Sequence, residues 1–223
     1  MTAAPKVPAA GALPVQAQPP AVPWGSAPPP RILLYGGTFD PPHLGHLNNL
    51  RAAMAAVRPD RVVVMPAGTP PHKAASATPA ALRLAMCECF RPLFPALEVS
   101  DWEIRQGGKS YTIDTVKMLE EKYPGASVYL CVGSDMLTTF TEWRNWQELL
   151  RRTTLVAQSR EEGDMPALRA AARALEAEGG RVLFTDTPAL PLASTDLRAH
   201  RRDLSLVPGA ARRVIEENHL YER

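Results

Sequence analysis

From Arg31 onward, short apolar runs alternate with longer amphipathic stretches, and this alternation constrains the fold more than any other feature of the sequence. It is typical of parallel strands joined by crossover helices. Strands are predicted at residues 32–35, 61–65, 128–132, 154–158 and 181–184, with a weaker candidate at 97–104. Helices are predicted at residues 46–57, 80–90, 111–123, 143–151 and 165–178, and two more are expected to begin at Ser194 and near Pro208.

The second predicted strand indicates how the sheet is covered. Residues 62–65 are apolar without interruption, so this strand is expected to be buried on both faces. A doubly wound, parallel α/β sheet follows, whose ligands bind at the carboxyl ends of the strands. With 223 residues, 45% of them hydrophobic, the chain can bury one substantial core, and we predict one domain at residues 31–223.

Residues 1–30 have a different composition, with nine prolines, eight alanines and Lys6 as the only charge. Proline lacks the backbone donor that helices and ladders need, so a disordered or polyproline-like tail is predicted. The alternative is a docking segment for a proline-recognising partner, although PxxP spacings arise freely in such a composition.

Charge, cysteines and hydropathy exclude several classes of partner. A net charge of +2 and a pI near 8.5 do not indicate nucleic-acid or membrane binding. The three cysteines, Cys87, Cys89 and Cys131, have no zinc-ribbon or redox spacing, which favours the reducing cytoplasm. No apolar run reaches membrane-spanning length. The sequence leaves open whether the chain is a homo-oligomer.

The most informative segment runs from Gly36 to His46 and reads GGTFDPPHLGH, directly after the first strand and before a helix. An open α/β sheet binds phosphate at this place. Glycines let the backbone approach an anion, and backbone N–H groups at the helix start point toward it. The residues of this loop expected to bind a nucleotide are Gly36, Gly37, Thr38, Phe39 and Gly45.

His43 and His46 lie three residues apart, so both imidazoles can share one face of the first helical turn. There they could donate hydrogen bonds to phosphate oxygens and stabilise charge in a transition state. One alternative is a capping or packed pair. Another is a zinc site with His72, but no HExxH helix accompanies it and the glycines would then be unexplained.

GGTFDPPHLGH resembles the signature loop of the HxGH nucleotidylyltransferases, and its Asp-Pro-Pro-His form resembles the nicotinate mononucleotide adenylyltransferases. The resemblance implies a Rossmann-like nucleotidylyltransferase fold. It also implies transfer of the adenylyl group of ATP to nicotinate mononucleotide, with Mg²⁺, in NAD biosynthesis. His43 and His46 would act at the reacting phosphates. The partners implied are these two small molecules.

Three further segments resemble parts of the same family that bind ATP. Lys73 ends a proline-rich loop that helps to bind phosphates, although a lone lysine is more often a solvated surface charge. The segment VGSD resembles an adenosine-contacting element. Residues 192–198 resemble a second signature that holds the β and γ phosphates, with Ala193 in place of its usual serine. The residues implied are Lys73, Gly133, Asp135, Ser194, Thr195 and Arg198.

Two segments resemble the part of the family that binds the pyridine ring. In SYTIDT, Thr112 would meet the ring carboxylate, whereas the alternative is only a well-capped helix start at Ser110 or Thr112. Trp143 would stack on the ring, with Trp146 left to packing. Arg144 departs from the aromatic or small residue expected there, and we treat it as a candidate for carboxylate recognition.

The resemblance extends to the terminal helix and so covers residues 31–223, but other functions stay open. A same-fold enzyme could use nicotinamide mononucleotide or pantetheine phosphate. Class I aminoacyl-tRNA synthetases share HxGH, yet they need a lysine-rich second signature and a longer chain. A catalytically silent nucleotide sensor could keep the fold, although the retention of His43, His46, Lys73 and Arg198 speaks against it.

Overall fold

The computed structural model describes residues 28–69, 76–158, 163–187, 190–199 and 204–222. Within these ranges, six parallel strands form one sheet in the order β3-β2-β1-β4-β5-β6. This confirms the predicted doubly wound α/β fold. The strands are β1 (Arg31–Gly37), β2 (Arg61–Pro66), β3 (Leu97–Val99), β4 (Ser127–Gly133), β5 (Thr153–Gln158) and β6 (Val182–Phe184).

Nine α-helices lie in the described part of the chain, and most of them follow a strand. They are α1 (Leu44–Val57), α2 (Ala80–Cys87), α3 (Trp102–Gln106), α4 (Thr112–Lys122), α5 (Ser134–Thr138), α6 (Trp146–Arg152), α7 (Met165–Ala177), α8 (Ser194–Ala199) and α9 (Gly209–Glu217). Short 3₁₀ turns occur at Glu88–Leu93, Phe140–Glu142 and Leu204–Leu206. None of these helices has the length and apolar character needed to cross a membrane.

The sheet is covered on both faces, as the uninterrupted apolar run in β2 predicts. Val62 and Val64 lie in one core cluster, together with residues of α1, α2 and α9. Val63 and Met65 lie in a second cluster with residues of α4, α6 and α7. Successive side chains of a strand point to opposite faces, so a strand between two helical layers must be apolar at every position.

Three predicted elements were wrong in their extent. The strand at 97–104 ends at Val99, and α3 begins at Trp102. The helix at 80–90 leaves α geometry after Cys87, because the ring of Pro92 would clash with the carbonyl group four residues earlier in an α-helix. The helix at 143–151 begins only at Trp146, after Asn145 in the left-handed region (φ 54°).

The strand order switches direction between β1 and β4: β2 and β3 extend the sheet from β1 toward one edge, and β5 and β6 extend it from β4 toward the other. Such a switch point forms the crevice in which α/β sheets bind ligands. β1 and β4 lie side by side, and Gly37 and Gly133 are their last residues. At the amino-terminal ends of β1 and β4, the carbonyl group of Pro30 accepts a hydrogen bond from the Ser127 N–H at 2.8 Å. Pro30, the last residue of the predicted tail, therefore contacts β4. Residues 1–27 of the tail lie outside the described residues.

Candidate active site

His43 and His46 stack at the start of α1, with ring centroids 3.7 Å apart. The N–H of His46 donates to His43 Nδ1 at 3.3 Å, and the N–H of His43 donates to His46 Nδ1 at 3.2 Å. This reciprocal arrangement is a capping box. Because Nδ1 accepts in both rings, each neutral ring carries its proton on Nε2. Capping and phosphate binding are therefore compatible, since they use opposite nitrogens of the same ring.

Gly45 is required by the His43 ring. A Cβ at Gly45 would lie 2.9 Å from His43 Nδ1 and 3.2 Å from the carbonyl oxygen of Leu190. We expected the missing side chain to leave room for an anion. In the structure, the catalytic candidate itself and the segment before α8 lie against this surface. The glycine thus sets the position of His43.

Phe39 lies in the core although it belongs to the signature loop. Its side chain is 2% exposed and its ring packs against Tyr35, Phe90 and the edge of His46. A Cβ at Gly37 would lie 2.9 Å from this ring, whereas one at Gly36 would meet only the Met65 carbonyl oxygen at 3.9 Å. Only the backbone of Phe39 could therefore make the predicted contact with ATP. The buried ring anchors the loop.

The second signature packs directly on the first. Ser194 Oγ donates to the carbonyl oxygen of Pro41 at 2.9 Å, and Arg198 Nη1 donates to the carbonyl oxygen of Asp40. Ser194 and Pro41 are 153 residues apart in sequence. Thr195 is exposed at the start of α8. Of the phosphate-binding residues predicted here, Ser194 thus holds the two loops together through its hydroxyl, and Arg198 lies beside the histidine loop.

Asp40 is buried at the centre of this contact and was not predicted as a site residue. Tyr221 Oη donates to its Oδ1 at 2.7 Å, Ser76 Oγ donates to its Oδ2 at 2.6 Å, and Arg198 lies 3.9 Å from Oδ2. Burial raises the pKa of Asp40, but hydrogen bonds from Ser76, Thr78 and Tyr221 and the charge of Arg198 together lower it below its usual value. The ionised carboxylate joins the signature loop to the C-terminal segment.

The end of β4 contributes the neighbouring side of the crevice. Gly133 precedes α5, and Asp135 is exposed in its first turn. The Asp135 carbonyl oxygen accepts hydrogen bonds from the hydroxyl groups of Thr138 and Thr139, at 3.1 and 2.9 Å. β4 lies beside β1, and the two strands end at the same side of the sheet, at Gly133 and Gly37. The predicted nucleotide-binding residues of both strand ends therefore lie at the carboxyl side of one sheet.

One of the predicted pyridine-binding residues, Arg144, contacts the residue that precedes another, Thr112. The Arg144 guanidinium lies 4.4 Å from the centroid of the Tyr111 ring, directly before Thr112. Trp143 is half-buried and packs against Phe140, with centroids 5.3 Å apart. Tyr111 is the N-cap residue of α4, and within the described part of the chain its side chain makes no capping hydrogen bond. The alternative of a helix start capped by Ser110 or Thr112 was therefore wrong.

Lys73 and His72 lie outside the described residues, so the structure places neither. Among the residues it does describe, no group of three His, Cys, Asp or Glu side chains could hold a metal ion. The cysteines Cys87, Cys89 and Cys131 are free and buried, as expected for small hydrophobic side chains.

Residues 34–200 match the cytidylyltransferase-like family model. A probable nicotinate-nucleotide adenylyltransferase of Neisseria meningitidis is 37% identical over 202 residues, covering 86% of this chain and 99% of that protein. A protein of the same name from Symbiobacterium thermophilum is 37% identical over 203 residues, covering 86% and 96%. The chain belongs to the nicotinate-nucleotide adenylyltransferase family.

Solved structures support the fold of this family member. A Plasmodium falciparum nicotinic acid mononucleotide adenylyltransferase, complexed with NaAD, has a TM-score of 0.69 and 16% identity, covering 86% of this chain and 98% of its own. The same Plasmodium protein complexed with APC has a TM-score of 0.68. At this level of identity the likeness concerns the arrangement of strands and helices.

In this adenylyltransferase, sequence reasoning missed four residues that organise the site: Asp40, Ser76, Arg83 and Tyr221. Asp40 belongs to the signature loop, so its position was a signal that could have been used. Tyr221 lies 181 residues from Asp40, and no sequence pattern connects the two. Arg83 is 2% exposed on α2, where a charged residue in an amphipathic helix would ordinarily be assigned to the surface.

Asp40→Asn is expected to lower the free energy of unfolding by about 1–3 kcal/mol near neutral pH. The NH2 group of asparagine would replace one of the two carboxylate oxygens that accept hydrogen bonds from Ser76 and Tyr221. The pKa of Asp40 is lowered in the fold, so its contribution is present above the ordinary aspartate pKa. It is lost as the pH falls through the lowered pKa. The difference between variant and wild type should therefore shrink below about pH 4 in denaturant titrations.

The matched control for this prediction is Asp186→Asn, since Asp186 is exposed. Its effect should stay within about 0.5 kcal/mol at every pH. A stability loss in Asp40→Asn that is the same in acid as at neutral pH would contradict the proposed charge on Asp40.

Proposed function

We propose that this chain transfers the adenylyl group of ATP to nicotinate mononucleotide, giving nicotinate adenine dinucleotide and pyrophosphate. The observation that carries the proposal is the packing of Ser194 and Arg198 on Pro41 and Asp40, next to the stacked pair His43 and His46. Two segments far apart in sequence, each resembling a phosphate-binding signature, are thus in contact. The names of the relatives from Neisseria and Symbiobacterium agree with this substrate.

The reaction requires the 5′-phosphate of the mononucleotide to attack the α-phosphorus of ATP, with pyrophosphate as the leaving group. The second pKa of a phosphate monoester is about 6, so the attacking group is already largely a dianion at neutral pH and needs no general base. The protein contributes positioning and stabilisation of charge. His43 and His46 donate from Nε2 to phosphate oxygens, Arg198 supplies positive charge beside them, and Lys73 holds the phosphate chain.

Magnesium is proposed to enter with ATP. Asp40, the carboxylate of the signature loop, is buried and accepts a hydroxyl hydrogen bond on each oxygen, so the fold already uses it as an acceptor. This donor set fits an ion held mainly by phosphates and water. Held by phosphates and water, Mg²⁺ would offset phosphate charge. The chain's own cations and amides position the phosphates.

The acid form of the acceptor is favoured by the charge beside Thr112. Arg144 is held over Tyr111, next to the first residue of α4, and Trp143 is its neighbour in sequence. A guanidinium at this place attracts the carboxylate of nicotinate and gains nothing comparable from the neutral amide of nicotinamide. Trp143 provides an aromatic surface at the same end of the site.

The test compares kcat/KM for nicotinate mononucleotide, nicotinamide mononucleotide and pantetheine phosphate, with ATP and Mg²⁺, by following pyrophosphate release. We expect a preference for the acid, reduced by about tenfold in Arg144→Gln through loss of a charge-assisted contact. Arg151→Gln, an exposed change at the far end of α6, is the matched control. A preference for either other acceptor would overturn the substrate, and no turnover with any acceptor would favour a silent nucleotide sensor.

A further inference from the structure

The loop after β2 lies between the signature loop and the segment that precedes α4. The N–H of Ala67 donates to the Gly37 carbonyl oxygen at 2.8 Å. Two residues later, the Thr69 carbonyl oxygen accepts from the Ser110 N–H at 3.0 Å. Residues 67–69 therefore form the direct connection between the proposed phosphate-binding and pyridine-binding parts of the site.

A buried arginine holds one side of this connecting loop. Arg83 Nη1 donates to the Thr38 carbonyl oxygen at 2.9 Å, and Nη2 donates to the Gly68 carbonyl oxygen at 3.2 Å. Its Nε is buried and has no hydrogen-bond partner among the described residues. Burial lowers the pKa of Arg83, and the charge of Asp40 raises it. The guanidinium stays charged at neutral pH and bridges two loops through their backbone carbonyl groups.

A buried carboxyl group holds the other side. Glu103, 9% exposed on α3, accepts a hydrogen bond from Thr115 Oγ1 of α4 at 2.6 Å. A Cβ at Gly68 would lie 2.6 Å from the Glu103 carbonyl oxygen and 2.6 Å from Ser110 Oγ. Gly68 therefore has no room for a side chain: the Glu103 backbone closes one side of it, and Arg83 holds its carbonyl oxygen.

Burying two ionisable groups to hold a loop costs free energy, because the lost hydration of a charge is offset only when the charge makes well-formed hydrogen bonds. Arg83 uses its charge on the carbonyl oxygens of Thr38 and Gly68. Glu103 uses its carboxyl group to hold α4 to α3, and the α3 backbone at Glu103 packs against Gly68. We propose that both are positioning residues for adenylyl transfer: they clamp Gly68 and so set the separation between the signature loop and the start of α4. This proposal rests on the function proposed above.

The test measures kcat and both KM values in Arg83→Met, Arg83→Lys and Glu103→Gln. Arg83→Met should lower kcat by about 10- to 100-fold, since small displacements of reacting groups carry penalties of this size. Arg83→Lys keeps a buried donor and should recover about tenfold of that loss. Glu103→Gln should raise KM for the mononucleotide by about tenfold and leave KM for ATP within about twofold, because Glu103 contacts α4.

Matched controls are Arg91→Met and Glu120→Gln, whose side chains take part in partly exposed ion pairs outside the site. Both should retain wild-type kcat and KM. The active fraction of each variant is measured by titration with ATP. If kcat falls only in proportion to the active fraction, with both KM values unchanged, Arg83 and Glu103 serve folding alone and the positioning proposal is overturned.

The two proposals fail in different ways. A wild-type protein that makes the dinucleotide, together with variants that keep kcat and both KM values within about twofold, overturns the positioning role alone. A wild-type protein that makes no dinucleotide overturns the proposed function and, with it, the positioning role. If Arg83→Met does not fold, Arg83→Lys decides the result, since wild-type kinetics in that variant would exclude a dependence on the two-carbonyl bridge.

Discussion

His46→Ala is expected to lower kcat by about two to three powers of ten, while ATP still binds with a Kd close to that of the wild type. In the proposed mechanism, the Nε2 donor of His46 interacts more strongly as charge accumulates on the phosphate oxygens, so its loss should raise the free energy of the transition state. Nδ1 also accepts the His43 N–H, so alanine removes half of the capping box as well. Single-turnover kinetics and ATP titration measure the two effects separately.

His46→Asn separates catalysis from capping. Asparagine keeps a side-chain acceptor for the N–H of His43, but it lacks the imidazole Nε2–H. The loss of the cap in alanine should cost about 0.5–2 kcal/mol of stability, and asparagine should recover most of it. Both variants should nevertheless lose turnover. Near-normal turnover in either one would contradict the role proposed for His46.

Gly45→Ala is expected to lower kcat by about a hundredfold without a comparable loss of stability. The new methyl group would lie 2.9 Å from His43 Nδ1, so the ring must move away from its capping position. Alanine also has a higher helix propensity than glycine, by about 1 kcal/mol, which offsets part of the strain. Thermal unfolding and steady-state kinetics on the same preparation test this separation.

Gly209→Ala is the matched control for Gly45→Ala. Gly209 begins α9, and a Cβ there would meet nothing within 4 Å. This variant should keep wild-type kcat and gain slightly in stability. Wild-type turnover in Gly45→Ala would show that His43 can move without consequence, and it would remove the argument that Gly45 sets the position of that ring.

The sheet could be predicted because its signal is local and repeated. Residues 62–65 are apolar at every position, and only a strand covered on both faces needs such a run. The extents of elements were less accurate where one residue changes the geometry. Pro92 ends the α conformation of α2 early, and Asn145 delays the start of α6, and neither effect is contained in the hydrophobic period.

The candidate site also has a part that the sequence predicts and a part that it does not. The histidine pair and its glycine belong to one continuous loop, so a single motif predicts their neighbourhood. Phe39 belongs to the same motif but lies in the core, because the left-handed turn at this residue (φ 50°) directs its ring toward Tyr35 and Phe90. A motif records which residues occur together and does not record which of them face the ligand.

The sequence by itself determined the parallel α/β architecture, the loop that carries His43 and His46, and the family to which the chain belongs. Only the tertiary structure decided that Asp40 joins Tyr221 to Ser76, that Arg83 binds the carbonyl oxygens of Thr38 and Gly68, and that Glu103 holds α4 to α3. The physical reason is the range of each interaction. Periodicity and loop motifs act between near neighbours in the chain, whereas a buried charge finds its partners only when distant segments have packed around it.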